Sequence, residues 1–245
     1  VGIIDYGMGN LYSVRNAFLS IGSKARIVTR PDELRRFQHV VLPGVGAFGD
    51  AMKILNKSGM ASAIREFIKR GGLFMGICLG LQLLFEASQE SPHCKGLGIL
   101  AGTVSRFKGN VKIPHIGWNQ LAIKKKIPLL GGIANGAFVY FCHSYYAVPH
   151  QSDVCIATTN YAGNFTAIVA RENVFGIQFH PEKSQHIGLR ILKNFTASNA
   201  TGFTRGFDTF WSRCWKTCAV PRRILAECKR RGGDSKGRPL TKGSR

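Results

Sequence analysis

The stretch Gly71-Gly72-Leu73-Phe74-Met75-Gly76-Ile77-Cys78-Leu79-Gly80-Leu81-Gln82 limits the folds open to this chain more than any other. Its first part is a short apolar run of the kind that forms a buried strand, and Leu81-Gln82-Leu83-Leu84-Phe85-Glu86 continues it with helical periodicity, so a helix is predicted over 80–87. Cys78 then sits at a strand-to-helix junction. Gly76 and Gly80, two residues to either side, suit such an elbow, because the turn brings backbone so close that a side chain would clash. A sulfur at a helix N-terminus is favoured as thiolate by the N–H dipoles there, and the thiolate is the attacking species. Taken alone, the segment is also compatible with a structural cysteine packed beside glycines.

A second segment, Gln178-Phe179-His180-Pro181-Glu182-Lys183, supplies what a nucleophilic cysteine needs. Residues 174–179 read as a strand, and on a strand residues two apart share a face, which would place His180 and Glu182 side by side. Pro181 lacks an N–H and suits a strand end facing a cleft. A histidine can take the proton of Cys78, and a neighbouring carboxylate holds the imidazole in the required tautomer. An ordinary surface His-Glu pair is the alternative, and the presence of both segments in one chain argues against it.

With these segments in view, the chain resembles the class I, triad-type glutamine amidotransferases. It is most similar to those that serve as glutaminase subunits of imidazole glycerol phosphate synthase in histidine biosynthesis. The narrower likeness rests on Asp5-Tyr6-Gly7-Met8-Gly9-Asn10-Leu11, on Pro43-Gly44-Val45-Gly46-Ala47-Phe48-Gly49-Asp50-Ala51-Met52, on Pro114-His115-Ile116-Gly117-Trp118-Asn119 and on Tyr140-Phe141-Cys142-His143-Ser144-Tyr145-Tyr146. It runs on through Phe179-His180-Pro181-Glu182-Lys183-Ser184-Gln185 and covers residues 1–197.

The resemblance implies glutamine hydrolysis by Cys78, His180 and Glu182. It implies an oxyanion hole from the N–H of Leu79 and from the loop Gly44-Val45-Gly46, whose glycines permit a peptide flip. Gln82, His143 and Ser144 match the family's glutamine contacts, although His143 could equally pack in the core. The implied partner is a (β/α)₈-barrel cyclase that receives the ammonia, faced by Asn10, Trp118, Tyr140 and Lys183. No cofactor and no metal are implied. A paralogous glutaminase feeding another barrel synthase, and a basic nucleic-acid or anion-binding protein on the same scaffold, are the competing readings.

Charge is the feature that bears on the last of these. The net charge is +21, of which +9 lies in residues 197–245 and +12 in residues 1–196. Within 1–196 no basic stripe is interleaved with aromatics, and Lys124-Lys125-Lys126 reads as a solvated turn, so nucleic acid is not the expected partner. No run is long enough to span a bilayer, and Val1-Gly2-Ile3-Ile4 reads as a strand at once. No membrane association, no secretory leader and a processed or truncated start are therefore expected. Seven cysteines without a regular framework point to a reducing, cytoplasmic setting.

Strands are predicted at 1–5, 24–29, 39–42 and 73–77, with helices at 11–21, within 47–70 and at 80–87. This alternation implies an α/β fold, an open and mostly parallel sheet with helices on both faces. Later strands are expected near 99–106, 117–124, 137–147, 153–159, 165–171 and 174–179, before a closing helix at 184–196. The site should lie beyond the carboxyl ends of the parallel strands. From 198 to 245 a basic extension follows the 1–197 amidotransferase domain. Phe203, Phe207, Phe210 or Trp211, Cys214 and Cys218 recur there at helical spacing, and the glycine-rich end reads as disordered. A fusion remnant or read-through past a lost stop codon ranks ahead of an added binding segment.

Overall fold

The computed structural model describes residues 1–198; the expectations for the extension beyond lie outside the described residues. The first half alternates β1 (Gly2–Ile4), α1 (Leu11–Ser20), β2 (Arg26–Val28), β3 (His39–Gly44), α2 (Phe48–Lys57), α3 (Met60–Lys69), β4 (Leu73–Cys78) and α4 (Leu79–Gln82). The second is mostly strand: β5 (Ala87–Ser88), β6 (Gly102–Arg106), β7 (His115–Gln120), β8 (Ala122–Ile123), β9 (Phe138–His143) and β10 (Tyr145–Pro149). It closes with β11 (Cys155–Asn160), β12 (Asn164–Arg171), β13 (Val174–Ile177) and α5 (Gln185–Ala197).

Strands β2, β1, β3, β4 and β13 run parallel in that order; β12, β10 and β6 extend the sheet antiparallel, and β11 and β8 branch from β12. The two-residue period of β3 shows how the layers form. Val40 and Leu42 face one core with Ala51, Met52 and Leu55 of α2 and Ile64 and Phe67 of α3. Val41 faces the other, with Val14 and Phe18 of α1 and Ile191, Leu192 and Phe195 of α5. The sheet is thus covered on both sides, as the alternation requires. Strands β7 and β9 form a separate antiparallel ribbon, paired from His115↔His143 to Gln120↔Phe138. Among the described residues no helix is long and apolar enough to cross a membrane.

Four expectations need correction. The strand expected over 117–124 is two, β7 in the ribbon and β8 beside β11 in the main sheet. The helix expected at 80–87 is one turn, Leu79–Gln82. Leu81, Leu83, Leu84 and Phe85 are all buried, and the carbonyls of Leu83, Leu84 and Phe85 accept N–H groups from Leu97 to Leu100 instead of continuing a helix. The strand expected over 137–147 is two, β9 and β10, which leave for different sheets on either side of Ser144. The last strand ends at Ile177, so His180 and Glu182 belong to a 3-10 turn, Pro181–Lys183 with His180 at its start, rather than to one face of a strand.

Candidate active site

The carboxyl ends of β3, β4 and β13 lie side by side. Gly44 pairs with Cys78 across β3 and β4, and Ile177 pairs with Ile77 across β13 and β4. The oxyanion-loop candidate, the cysteine and the chain leading to His180 are therefore brought together by strand register alone.

Cys78 has φ 56° and ψ −110°, a left-handed conformation that a non-glycine residue adopts only when its surroundings impose it. The surroundings are visible. A Cβ on Gly80 would overlap the Leu42 carbonyl oxygen, and one on Gly76 would overlap the Gly80 carbonyl. The turn holds the sulfur at the rim of β4 and leaves Leu79, the first helical residue, with an N–H that has no acceptor inside the helix. Since α4 has only four residues, its dipole is short, and the expected helix-terminus support for a thiolate passes mainly to the histidine.

His180 is held from three directions. Its N–H donates to Tyr140 O at 2.9 Å, its carbonyl accepts from Ser184 Oγ at 2.6 Å, and the same hydroxyl accepts from Tyr140 N–H at 3.0 Å. Its Nδ1 lies 2.9 Å from Glu182 Oε1, and both side chains are buried. Glu182 Oε2 is buried without a partner, so His180 is the group that compensates this carboxylate. Burial opposes a charged His180, but hydrogen bonds to Cys78 and Glu182 and their negative charge outweigh it, and its pKa is pushed up to about 10. The arrangement sets one imidazole between a sulfur and a carboxylate.

Cys78 and His180 line a cleft of about 300 Å³ together with Val45, Gly46, Leu79, Gln82, His143, Ser144 and Lys183. Gly46 has φ 95°, and Val45 beside it is exposed at the mouth. Gln82 is buried and donates Nε2 to Tyr145 O at 2.9 Å. His143 lines the cleft, yet its ring belongs to an aromatic cluster with Phe107, Phe141 and Phe165. Its Nδ1 donates to Tyr145 O at 2.7 Å and its Nε2 meets His115 Nδ1 at 3.3 Å. Burial pushes His143 down to about 3 and His115 to about 4, so both are neutral. The backbone at 143–144, rather than the imidazole, is what this wall offers a ligand.

Two features of the site escaped sequence reasoning. Glu90 lines the cleft while its Oε2 accepts from Phe48 N–H at the start of α2, 2.7 Å away; an isolated carboxylate in a loop gives no pattern to find. Gln178, wholly buried, donates Nε2 toward Cys78 Sγ at 3.8 Å; its one signal is an amide inside an apolar run. Among the described residues no cluster of His, Cys, Asp and Glu could hold a metal ion.

The residues matched to a partner face lie on the ribbon and near it. Trp118 and Tyr140 are cross-strand neighbours with ring centroids 6.1 Å apart, and Lys183 Nζ lies 5.6 Å from the Tyr140 ring centroid. Asn10 caps α1, accepting Ser13 N–H at 3.3 Å, and α1 packs on the turn that carries Lys183. Ile116, Trp118 and Phe138 extend an exposed apolar strip along the outer face of the ribbon.

The family model for class-I glutamine amidotransferases matches residues 2–198. The imidazole glycerol phosphate synthase subunit HisH of Caldanaerobacter subterraneus subsp. tengcongensis is 51% identical over 195 residues, 80% of this chain and 96% of that protein. The subunit of the same name from Syntrophotalea carbinolica is 49% identical over 200 residues, 79% of this chain and 97% of its own length. The chain belongs to the class-I glutamine amidotransferase family and, within it, to the HisH proteins. At the level of fold, a crystal structure of a glutamine amidotransferase superposes with a TM-score of 0.66 at 19% identity, covering 82% of this chain and 99% of its own. A structure of PurLQS from Thermotoga maritima gives 0.66 at 21% identity, covering 80% of this chain and 96% of that one.

Proposed function

We propose that the chain is the glutaminase subunit of an imidazole glycerol phosphate synthase, and that Cys78, His180 and Glu182 form its catalytic triad. The observation that carries the triad is one buried imidazole that answers to two groups: His180 bonds Glu182 through Nδ1 at 2.9 Å and interacts with the Cys78 side chain, which helps to raise its pKa. The Cys78 thiolate attacks the side-chain amide carbon of glutamine, forming the C–S bond and an oxyanion. The N–H of Leu79 and one from the Gly44-Val45-Gly46 loop stabilise that oxyanion. The carbonyl re-forms as the C–N bond breaks, ammonia leaves with a proton from the His180 imidazolium, and water then attacks the thioester with His180 as base, releasing glutamate and the thiolate.

Gln82, the backbone at His143 and Ser144, and Glu90 bind the substrate's polar end; Glu90 is the carboxylate in the cleft suited to an α-ammonium group. Ammonia set free in water is protonated and lost, so the product must pass to a synthase docked over the site. A (β/α)₈-barrel cyclase seated on the strip of Trp118 and Tyr140, with Asn10 and Lys183 at its edge, fits that need. The rival nucleic-acid reading lacks a basic stripe, whereas the closeness of Cys78, His180 and Glu182 supports the amidotransferase reading.

The test is glutamate release from glutamine, with and without the cyclase and its ribonucleotide. Turnover is expected to be weak in the lone chain and to rise strongly in the complex, and Cys78→Ala should abolish it while the complex still uses added ammonium salts. Glutaminase activity surviving in Cys78→Ala would refute the nucleophile.

A further inference from the structure

The chemistry above leaves one fully buried polar side chain unused. Gln178 is 0% exposed, and its backbone N–H is tied to Ala167 O at 2.9 Å. Its side-chain amide stands between the nucleophile and Gln82. Gln82 Nε2 donates to Gln178 Oε1 at 3.2 Å, and Gln178 Nε2 donates to Cys78 Sγ at 3.8 Å.

A single backbone atom fixes the direction of both amides. Tyr145 O can only accept, and it takes Gln82 Nε2 at 2.9 Å and His143 Nδ1 at 2.7 Å. The NH₂ end of Gln82 must therefore point inward, where Tyr145 O and Gln178 Oε1 use its two hydrogens. Its Oε1 is the end left for the cleft. Gln178 Oε1 is then occupied by Gln82, so NH₂ is the end that faces sulfur. Flipping Gln82 would set oxygen against the Tyr145 carbonyl, and flipping Gln178 would set NH₂ against NH₂ and oxygen against sulfur. The run continues outward with the same polarity. His143, donating from Nδ1, accepts at Nε2 from His115 Nδ1 at 3.3 Å, and His115 Nε2 accepts from Asn119 Nδ2 at 3.3 Å.

We propose that Gln178 is a positioning residue for the amidotransferase reaction: its N–H holds the Cys78 sulfur, and its carbonyl holds Gln82 so that an acceptor oxygen faces the substrate. The proposal rests on the reading of Cys78 as the nucleophile. An N–H aimed at sulfur from a wholly buried side chain interacts more strongly with a thiolate than with a thiol, because a bond to a charged acceptor is about twice as strong. A carboxylate at 178 would do the reverse. One residue thus couples nucleophile and substrate contact, and the same amide cannot serve one without being aligned for the other.

Two variants of the full chain separate the two bonds. Gln178→Met keeps the volume and loses both; Gln178→Glu keeps an oxygen for Gln82 and loses the donor to sulfur. Cys78 is titrated by its rate of alkylation with iodoacetamide against pH, and glutamate release is measured with the cyclase partner present. Gln178→Met is expected to raise the alkylation midpoint by about one pH unit and to lower kcat/KM about tenfold, with KM for glutamine rising. Gln178→Glu is expected to raise the midpoint at least as far while KM stays within about twofold. An alkylation profile of Gln178→Met superimposable on that of the unsubstituted chain overturns the proposal, and so does an equal rise in KM in both variants. If either variant fails to fold by circular dichroism, the side-chain amide resonances of Gln178 in the unsubstituted chain decide. They shift when Cys78 is alkylated if the bond to sulfur exists, and an absence of shift overturns it. Failure of the nucleophile reading is distinct: iodoacetamide would then leave the unsubstituted enzyme active.

Discussion

His180 is a buried imidazole between a sulfur and a carboxylate, and its titration reports on both. Its pKa of about 10 lies above the ordinary value of 6.5, so the interaction stabilises the fold in full below about pH 6.5 and is lost as pH rises through about 10. In Cys78→Ala the sulfur's share disappears, and the His180 pKa is expected to fall while Glu182 still holds it above the ordinary range. The Hε1 resonance followed against pH measures this, and an unchanged midpoint would show that the two side chains do not interact. Cys78, His180 and Glu182 were legible in the sequence because each is a reactive residue type beside a glycine or proline that marks a chain reversal. Gln178 and Glu90 were not. Their contribution depends on what they face across the fold, and neither an amide in an apolar run nor a lone acid in a loop carries that information in its neighbours.

Among the elements, the ribbon of β7 and β9 carries the proposed partner face. Trp118→Ala and Lys183→Ala should each reduce activation by the cyclase about tenfold or more, as expected for anchors of an interface. Trp118 is 46% exposed, so its loss should leave the melting temperature of the lone chain close to unchanged. Titration of glutamate release against cyclase concentration, beside a thermal melt, separates the two effects; a matching fall in melting temperature would mean that Trp118 supports the fold instead. The elements were read well from sequence where one face alone is buried, as in α2 and α3, since periodicity then has a solvent side to reveal it. At 81–85 burial is nearly all round, and the backbone is claimed by residues 97–100, a partner that no local pattern announces.

For the whole molecule, the candidate catalytic groups come from strands that are adjacent in the sheet but about a hundred residues apart in the chain. The parallel order β3-β4-β13 brings Gly44, Cys78 and the His180 turn together, and that order depends on α5 closing the sheet's second face. Truncation after Ser198 is expected to leave glutaminase activity within about twofold, since the candidate site and Ser198's own bond with His39, 3.0 Å long, are retained. Truncation after Ser184 removes Ile191, Leu192 and Phe195, all fully buried, each worth about 2–5 kcal/mol by the cost of shortening such side chains, and should abolish folding. Circular dichroism and glutamate release on the two truncations check both outcomes. Alternation of strands and helices was enough to expect this layering. The detachment of β7 and β9 as their own ribbon was not foreseeable, because a strand's neighbours are set by turns and packing far from it.

That ribbon has inner and outer faces on the same short strands, with His115, Phe141 and His143 turned to the buried aromatic wall and Ile116, Trp118 and Tyr140 turned away. Adding or removing one residue within Phe138–His143 would exchange the β9 members of the two sets, placing the His143 imidazole in the docking strip and the tyrosine in the wall. Substitutions there can accumulate one position at a time, but length cannot drift. The six-residue span should hold its length through divergence, while insertions and deletions gather in the connection between Leu121 and Ala137, where no such alternation has to be kept.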